Sequence, residues 1–163
     1  MIDLLPTKYT FIKQWTRKHE PHYNTSLYIC EFWNTISNLI FIIIGLLRLQ
    51  DEDLHLYYEE LVILYTLFTV AGFCSGIHHM LNLKYTIFID WLPIASSIGY
   101  LLYKNYLLGY ITLISWFKIT LAFVILVTDH IWTIINVPWG HVLWHVIIGL
   151  AIDSAYQDIY FFI

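Results

Sequence analysis

Apolar residues run in long blocks along this chain, separated by short charged or turn-forming stretches. A bilayer core takes about 20 apolar residues per helix, with spans near 17 tolerated. By that measure Phe32 to Leu49 is a first span, ending at Arg48 and the acidic DEDLH. A second runs from about Leu61 to Met80, preceded by Glu59 and Glu60. Asn82 and Lys84 mark a tight turn into a third, from about Thr86 to Tyr103. The last runs from about Pro138 to Tyr160, with Pro138 near its first turn, where a missing N–H costs least. Between Lys104 and Val137 the pattern is ambiguous, because Lys118 divides NYLLGYITLISWF from ITLAFVILVTDHIWTIINV.

Polar residues inside the apolar blocks resolve that ambiguity. Ser75 and His79 stand four apart, Asp90 follows eleven residues on, and His141 and His145 again stand four apart. Residues at i and i+4 share a helical face. His79 ends the second span, Asp90 begins the third and His141 begins the last. For them to meet at one depth, the chain must cross the membrane an odd number of times between Tyr103 and Pro138. Three crossings need on the order of 60 residues, and the segment holds little more than half of that. One crossing fits, from about Ile119 to Ile135, with the preceding segment tilted or interfacial. The expected fold is all-α: a polytopic transmembrane helix bundle of about five spans, forming one domain over residues 1–163.

Composition supports the membrane reading. The chain has 163 residues, of which 59% are hydrophobic and only 12% charged, where a soluble domain carries roughly 25% charged residues. The net charge of −4 and the absence of a basic tract argue against a nucleic-acid partner. Residues 1–30 form an amino-terminal segment whose apolar run is too short and too broken, by Pro6, Lys8 and Lys13, for a signal peptide. Leu4, Leu5, Phe11, Ile12 and Trp15 beside Lys8, Lys13, Arg17 and Lys18 suit either the headgroup region or a loosely packed tail. Those cations and Lys84, against Arg48 and Lys104 on the other side, place the site towards the cytoplasm by the positive-inside rule. Cys30 and Cys74 make no disulfide framework and read as packing residues. The Trp and Tyr residues read mostly as interface anchors.

Polar groups in a membrane are costly and usually face the protein interior for a functional reason. One membrane histidine alone reads first as an interhelical hydrogen bond, and HVLWH alone recurs by chance. Three histidines, a carboxylate and a hydroxyl at compatible depth point instead to a metal site. Catalytic zinc takes three protein ligands and leaves a fourth position for water. Nitrogen-rich ligation without thiolates favours zinc over magnesium or calcium, with iron and manganese left open. His78 points about 100° away from His79 and is the poorer ligand. Asn34 and Asn38, one turn apart, are expected to bond between helices, and Ser37 is grouped with them as structural. Glu31 is read as structural first, with orienting a ligand or binding a cation as its functional alternatives. Asp129, beside His130 in the fourth span, suits either a partner to a liganding histidine or the interface.

The segments that carry these residues resemble the alkaline ceramidases. EFWNTISNLIFIIIGL (Glu31 to Leu46) resembles the family's first-span signature. SGIHHMLNLKYTIFIDWLP resembles its Ser-x3-His, with the Asp eleven residues on and Leu-Pro following. GHVLWHVIIGL resembles its final-span His-x3-His before Gly-Leu. The wider superfamily of membrane hydrolases includes the adiponectin-receptor-like proteins and enzymes that remodel lipid anchors. The resemblance implies zinc held by His79, His141 and His145, with Asp90 on the attacking water and Ser75 near the scissile carbonyl. It also implies seven spans, a lumenal amino terminus and residence in the endoplasmic reticulum or Golgi. This chain is short by about one helical hairpin, which preserves parity and agrees with five spans. A divergent bacterial or viral origin would place it in a cell or host membrane instead. The family's calcium loop matches here only at Glu20 and Glu31, with Arg17, Lys18 and His22 at other positions, so calcium is not expected. The implied reaction is zinc-dependent hydrolysis of a membrane lipid amide, ceramide, to a sphingoid base and a fatty acid. The alternatives are ester hydrolysis of a related lipid and a non-catalytic zinc-binding receptor or scaffold.

Overall fold

The computed structural model describes residues 25–51, 59–108, 111–134 and 139–162. The amino-terminal segment with its cations and Glu20, the acidic DEDLH stretch beyond Asp51, Pro138 and the His130 side chain lie outside the described residues. Among the described residues, six helical pieces make five rods: α1 (Phe32–Ser37) and α2 (Leu39–Leu49) in line, α3 (Glu59–Leu81), α4 (Thr86–Leu108), α5 (Leu113–Ile134) and α6 (Trp139–Phe162). Among the described residues there is no strand. Three of the rods, over Phe32–Leu49, Glu59–Leu81 and Thr86–Lys104, are long and apolar enough to cross a membrane.

The surface of the bundle is apolar and its interior at one end is polar. Ile43, Leu47, Phe88, Leu92, Phe123 and Val127 are exposed, while Glu31, Asn34, His79, Asn82, Asp90, Asp129, His141 and His145 are buried. A soluble protein arranges these residues the other way round, and a solvent of hydrocarbon accounts for the inversion. Half of the apolar stretch of α3 is buried, against 22% for α1–α2 and for α4, so α3 is the central helix. It packs on α2 and α4, while α6 packs on α5 and reaches α1 and α2. Long side chains join α3 to α6: the Tyr65 and Tyr156 rings meet edge-on at 5.2 Å, and Phe68 adds a contact to Tyr156 at 6.2 Å. Tyr65, Tyr156 and Trp144 are therefore core residues rather than interface anchors. Trp33 and Trp139, half-exposed and 5.4 Å apart, do occupy the rim at the histidine end. Gly72 lets α2 approach α3 closely, since a Cβ there would lie 2.8 Å from Ile42 and 2.9 Å from Phe41.

Two local features depart from the sequence-based expectation. The first span is broken at Asn38, because Ser37 Oγ and Asn38 Nδ2 both donate to the Asn34 carbonyl, at 2.9 and 2.8 Å. Side chains that take a helix carbonyl in this way compete with the backbone and bend the helix. Asn34 and Asn38 thus bond within the first span, Asn34 to Glu31 and Asn38 to Asn34, rather than between helices. The second departure is α5, which begins at Leu113 and not near Ile119. Thr112 caps it by accepting from the Ser115 N–H at 3.3 Å, and is itself anchored to Asp158. Lys118 sits inside the second turn of α5 and donates to Ser154 Oγ at 2.9 Å. Among the described residues no separate interfacial segment precedes the helix, since α4 runs on to Leu108.

Candidate metal centre

The polar residues gather at one end, the condition on which the parity argument rests. Glu31 precedes α1, His79 lies near the end of α3, Asp90 near the start of α4, Asp129 near the end of α5, and His141 and His145 near the start of α6. All are buried. His79, His141 and His145 come together: one ring nitrogen of each lies within 4.8 Å of the others, and among the described residues they form the one cluster able to hold a metal ion. A tetrahedral zinc with nitrogens at about 2.0–2.1 Å needs edges of roughly 3.4 Å, so closure asks for a contraction of about an ångström.

Two of the rings, those of His79 and His145, are held through Nδ1. His79 Nδ1 lies 2.7 Å from Glu31 Oε2; a carboxylate only accepts, so that nitrogen carries the hydrogen and Nε2 carries the lone pair. His145 Nδ1 lies 2.7 Å from Ser37 Oγ. The Ser37 hydrogen is already donated to the Asn34 carbonyl, so the hydroxyl accepts from His145, with the same consequence for Nε2. His141 Nδ1 lies 3.4 Å from Asp129 Oδ2, an ion-pair contact longer than a good hydrogen bond. Liganding histidines characteristically donate their second N–H to such an oxygen, which fixes tautomer and ring orientation. The residues present therefore suit a divalent metal held through Nε2 of His79 and of His145 and a ring nitrogen of His141.

Glu31 is the hub of this end. Its carboxylate also accepts from Asn82 Nδ2 at 3.0 Å and Asn34 Nδ2 at 3.4 Å, and its backbone N–H donates to the His79 carbonyl. Asn82 reaches it because the residue takes a left-handed conformation, φ 45°, at the end of α3, where asparagine is tolerated. The orienting role considered for Glu31 is the one its geometry supports, and Asp129 is buried against His141 rather than interfacial. Ser37, expected among the structural residues, touches His145 of the cluster with its oxygen. The signal was present: a serine three residues after Asn34 already has its hydrogen committed to the helix. His78 turns away to Thr86 Oγ1 at 2.8 Å. Ser75 is buried one turn before His79, and Asp90 lies within electrostatic range of Cys74 on α3. Phe41 and Trp144, both packed on His145, line a narrow apolar cleft with Phe68, Ile94, Ser97 and Ile148.

Fold and site define a class: a helical bundle with membrane-type polarity that gathers three buried histidines able to hold a metal ion. The sequence model of the Ceramidase family matches residues 19–138, most of the chain, and the chain belongs to that family. The match takes in Ser75, His79 and Asp90 but ends before His141 and His145. Those two join the site through their contacts with His79. No solved structure matches the chain.

Proposed function

We propose that this protein is a zinc-dependent intramembrane amidase, hydrolysing ceramide to a sphingoid base and a free fatty acid. One observation carries the reading: three buried histidines able to hold a metal ion, two of them held at Nδ1 by an oxygen and the third beside Asp129, in a member of the Ceramidase family. His79, His141 and His145 would hold the metal. When bound, a zinc ion there supplies Lewis-acid chemistry, lowering the pKa of water towards about 7 and polarising a carbonyl. Asp90 takes a proton from the attacking water and passes it to the leaving amine. Ser75 donates to the developing oxyanion, a contribution typically worth about 3 kcal/mol. In this reading all five rods cross the membrane, as one crossing between α4 and the last helix requires, and the protein is a multi-pass integral membrane protein.

The test is incubation of the detergent-solubilised protein with labelled ceramide and labelled phospholipid, with and without a chelator. Chelator-sensitive release of fatty acid from ceramide is expected. Release from the phospholipid alone would assign ester hydrolysis instead. Release from neither, by a protein that retains zinc, would overturn the enzymatic reading.

A further inference from the structure

At the end of the bundle away from the histidines, the surface of α6 opens into a cleft of about 590 Å³ beside α5. Its lining changes character along α6. Ile147 and Leu150 lie nearer mid-bundle, while Ser154 and Asp158, with Lys118 of α5, line the outer part. The charges at this end are not equivalent. Arg48 is committed to Asp153 through two bonds of 3.0 Å, and Lys104 to Glu60. Lys118 donates to Ser154 Oγ at 2.9 Å, and among the described residues no carboxylate pairs with it. An ammonium has three donors, so it can bind a further acceptor. Asp158 accepts from the Thr112 N–H and hydroxyl, at 2.9 and 2.8 Å, and among the described residues no cation neutralises it.

Ser154, which holds Lys118, and Asp158 are four residues apart, about 6 Å of helix rise. A cation and an anion so spaced, at the polar mouth of a cleft with an apolar inner end, match an amphiphile carrying both charges. We propose that this cleft binds a zwitterionic aminophospholipid, with phosphate on Lys118 and Ser154, ammonium towards Asp158, and a chain over Ile147 and Leu150. A purely anionic headgroup would meet Asp158 as a like charge, and free phosphate would leave the apolar half unused. The site lies in the leaflet opposite the histidines. It rests on reading the chain as a membrane bundle and is independent of catalysis.

Native mass spectrometry of the delipidated full chain in detergent tests this, with titration by phosphatidylethanolamine, phosphatidylglycerol, phosphoethanolamine and inorganic phosphate. One phosphatidylethanolamine should be retained about tenfold more tightly than phosphatidylglycerol. Lys118→Met should weaken it about tenfold, the worth of one charge-assisted hydrogen bond, and Lys118→Arg should restore it. Zinc content of each variant reports independently on the fold, since the histidines are at the other end. Should Lys118→Met fail to fold, Ser154→Ala carries the same expected direction. Unchanged retention in a folded variant, or equal binding of phosphatidylglycerol, overturns the proposal. So does displacement of the lipid by free phosphate or phosphoethanolamine at matched concentration. An inactive protein that still shows the expected lipid pattern would count against the amidase reading alone.

Discussion

Replacing Ser37 with alanine isolates the claim that His145 presents Nε2 because its Nδ1 donates to a hydroxyl. Ser37 Oγ accepts from His145 at 2.7 Å and donates to the Asn34 carbonyl at 2.9 Å. Alanine leaves the Nδ1–H of a residue only 1% exposed facing no acceptor. A buried donor stranded in this way costs about 1–3 kcal/mol. The ring can recover part of that by turning or changing tautomer, and either movement withdraws Nε2 from the metal. The cost therefore emerges as metal affinity, which should fall about 10- to 100-fold. Metal-stripped protein competed for zinc against a chromophoric chelator measures this directly. Ser37→Thr keeps the hydroxyl and should stay near wild type. Ser96→Ala is the matched control, because Ser96 makes the same kind of bond to its own helix, to the Leu92 carbonyl at 2.8 Å, on an exposed face. A Ser37→Ala protein within about twofold of the Ser96→Ala control would refute the tautomer argument, since the loss of a positioning bond cannot be so small.

Glu31→Gln should lower both zinc affinity and the thermal midpoint, by about 2 kcal/mol of stability. Both carboxylate oxygens accept here, from His79, Asn82 and Asn34, so either orientation of the amide sets N–H against a donor. His79→Ala and His145→Ala should each abolish zinc retention, measured by elemental analysis of purified protein. Asp90→Asn should retain zinc yet lose about 100-fold or more in ceramide turnover; equal losses of zinc and turnover would make Asp90 a ligand instead. Gly72→Val should cost about 1–3 kcal/mol in thermal unfolding, because its Cβ would press on Ile42, Phe41 and the Asn38 carbonyl at 2.8–3.1 Å. An unchanged midpoint would mean that α2 and α3 are not held this closely.

The sequence was legible where function depends on helix geometry. The i, i+4 pairs and the crossing parity follow from one helical period and one membrane thickness, and both the end that gathers the polar residues and the histidine cluster itself emerge from them. Contacts between distant segments left no such trace. Ser37 and His145 are 108 residues apart, and a serine in an apolar run has no periodic signature. The start of α5 was misread because Lys118 looks like a break in a hydropathy pattern. The cap that moves it, Thr112, depends on Asp158, 46 residues downstream. Likewise NTISN reads as a polar stripe between helices, until the Asn34 carbonyl is seen to draw both Ser37 and Asn38 back onto their own turn.

That local diversion has a consequence at the metal centre. Were the Ser37 hydrogen not committed to the Asn34 carbonyl, Ser37 would be free to donate it to His145 Nδ1. The imidazole would then carry its hydrogen on Nε2, which cannot ligate a metal in that state. The bond from Ser37 to the Asn34 carbonyl fixes the direction of the next hydrogen bond, and through it the nitrogen of His145 that faces the cluster. The three oxygens that orient the histidines come from Glu31 before α1, Ser37 within α1 and Asp129 on α5, none of them on the two helices that carry the rings. α3 and α6 therefore supply the nitrogens, while neighbouring elements decide whether those nitrogens can bind. Correct tautomers at His79 and His145 require Glu31 and Ser37 to be docked against them. Metal affinity thus reports on assembly of the whole polar end, and not on the presence of three histidines alone.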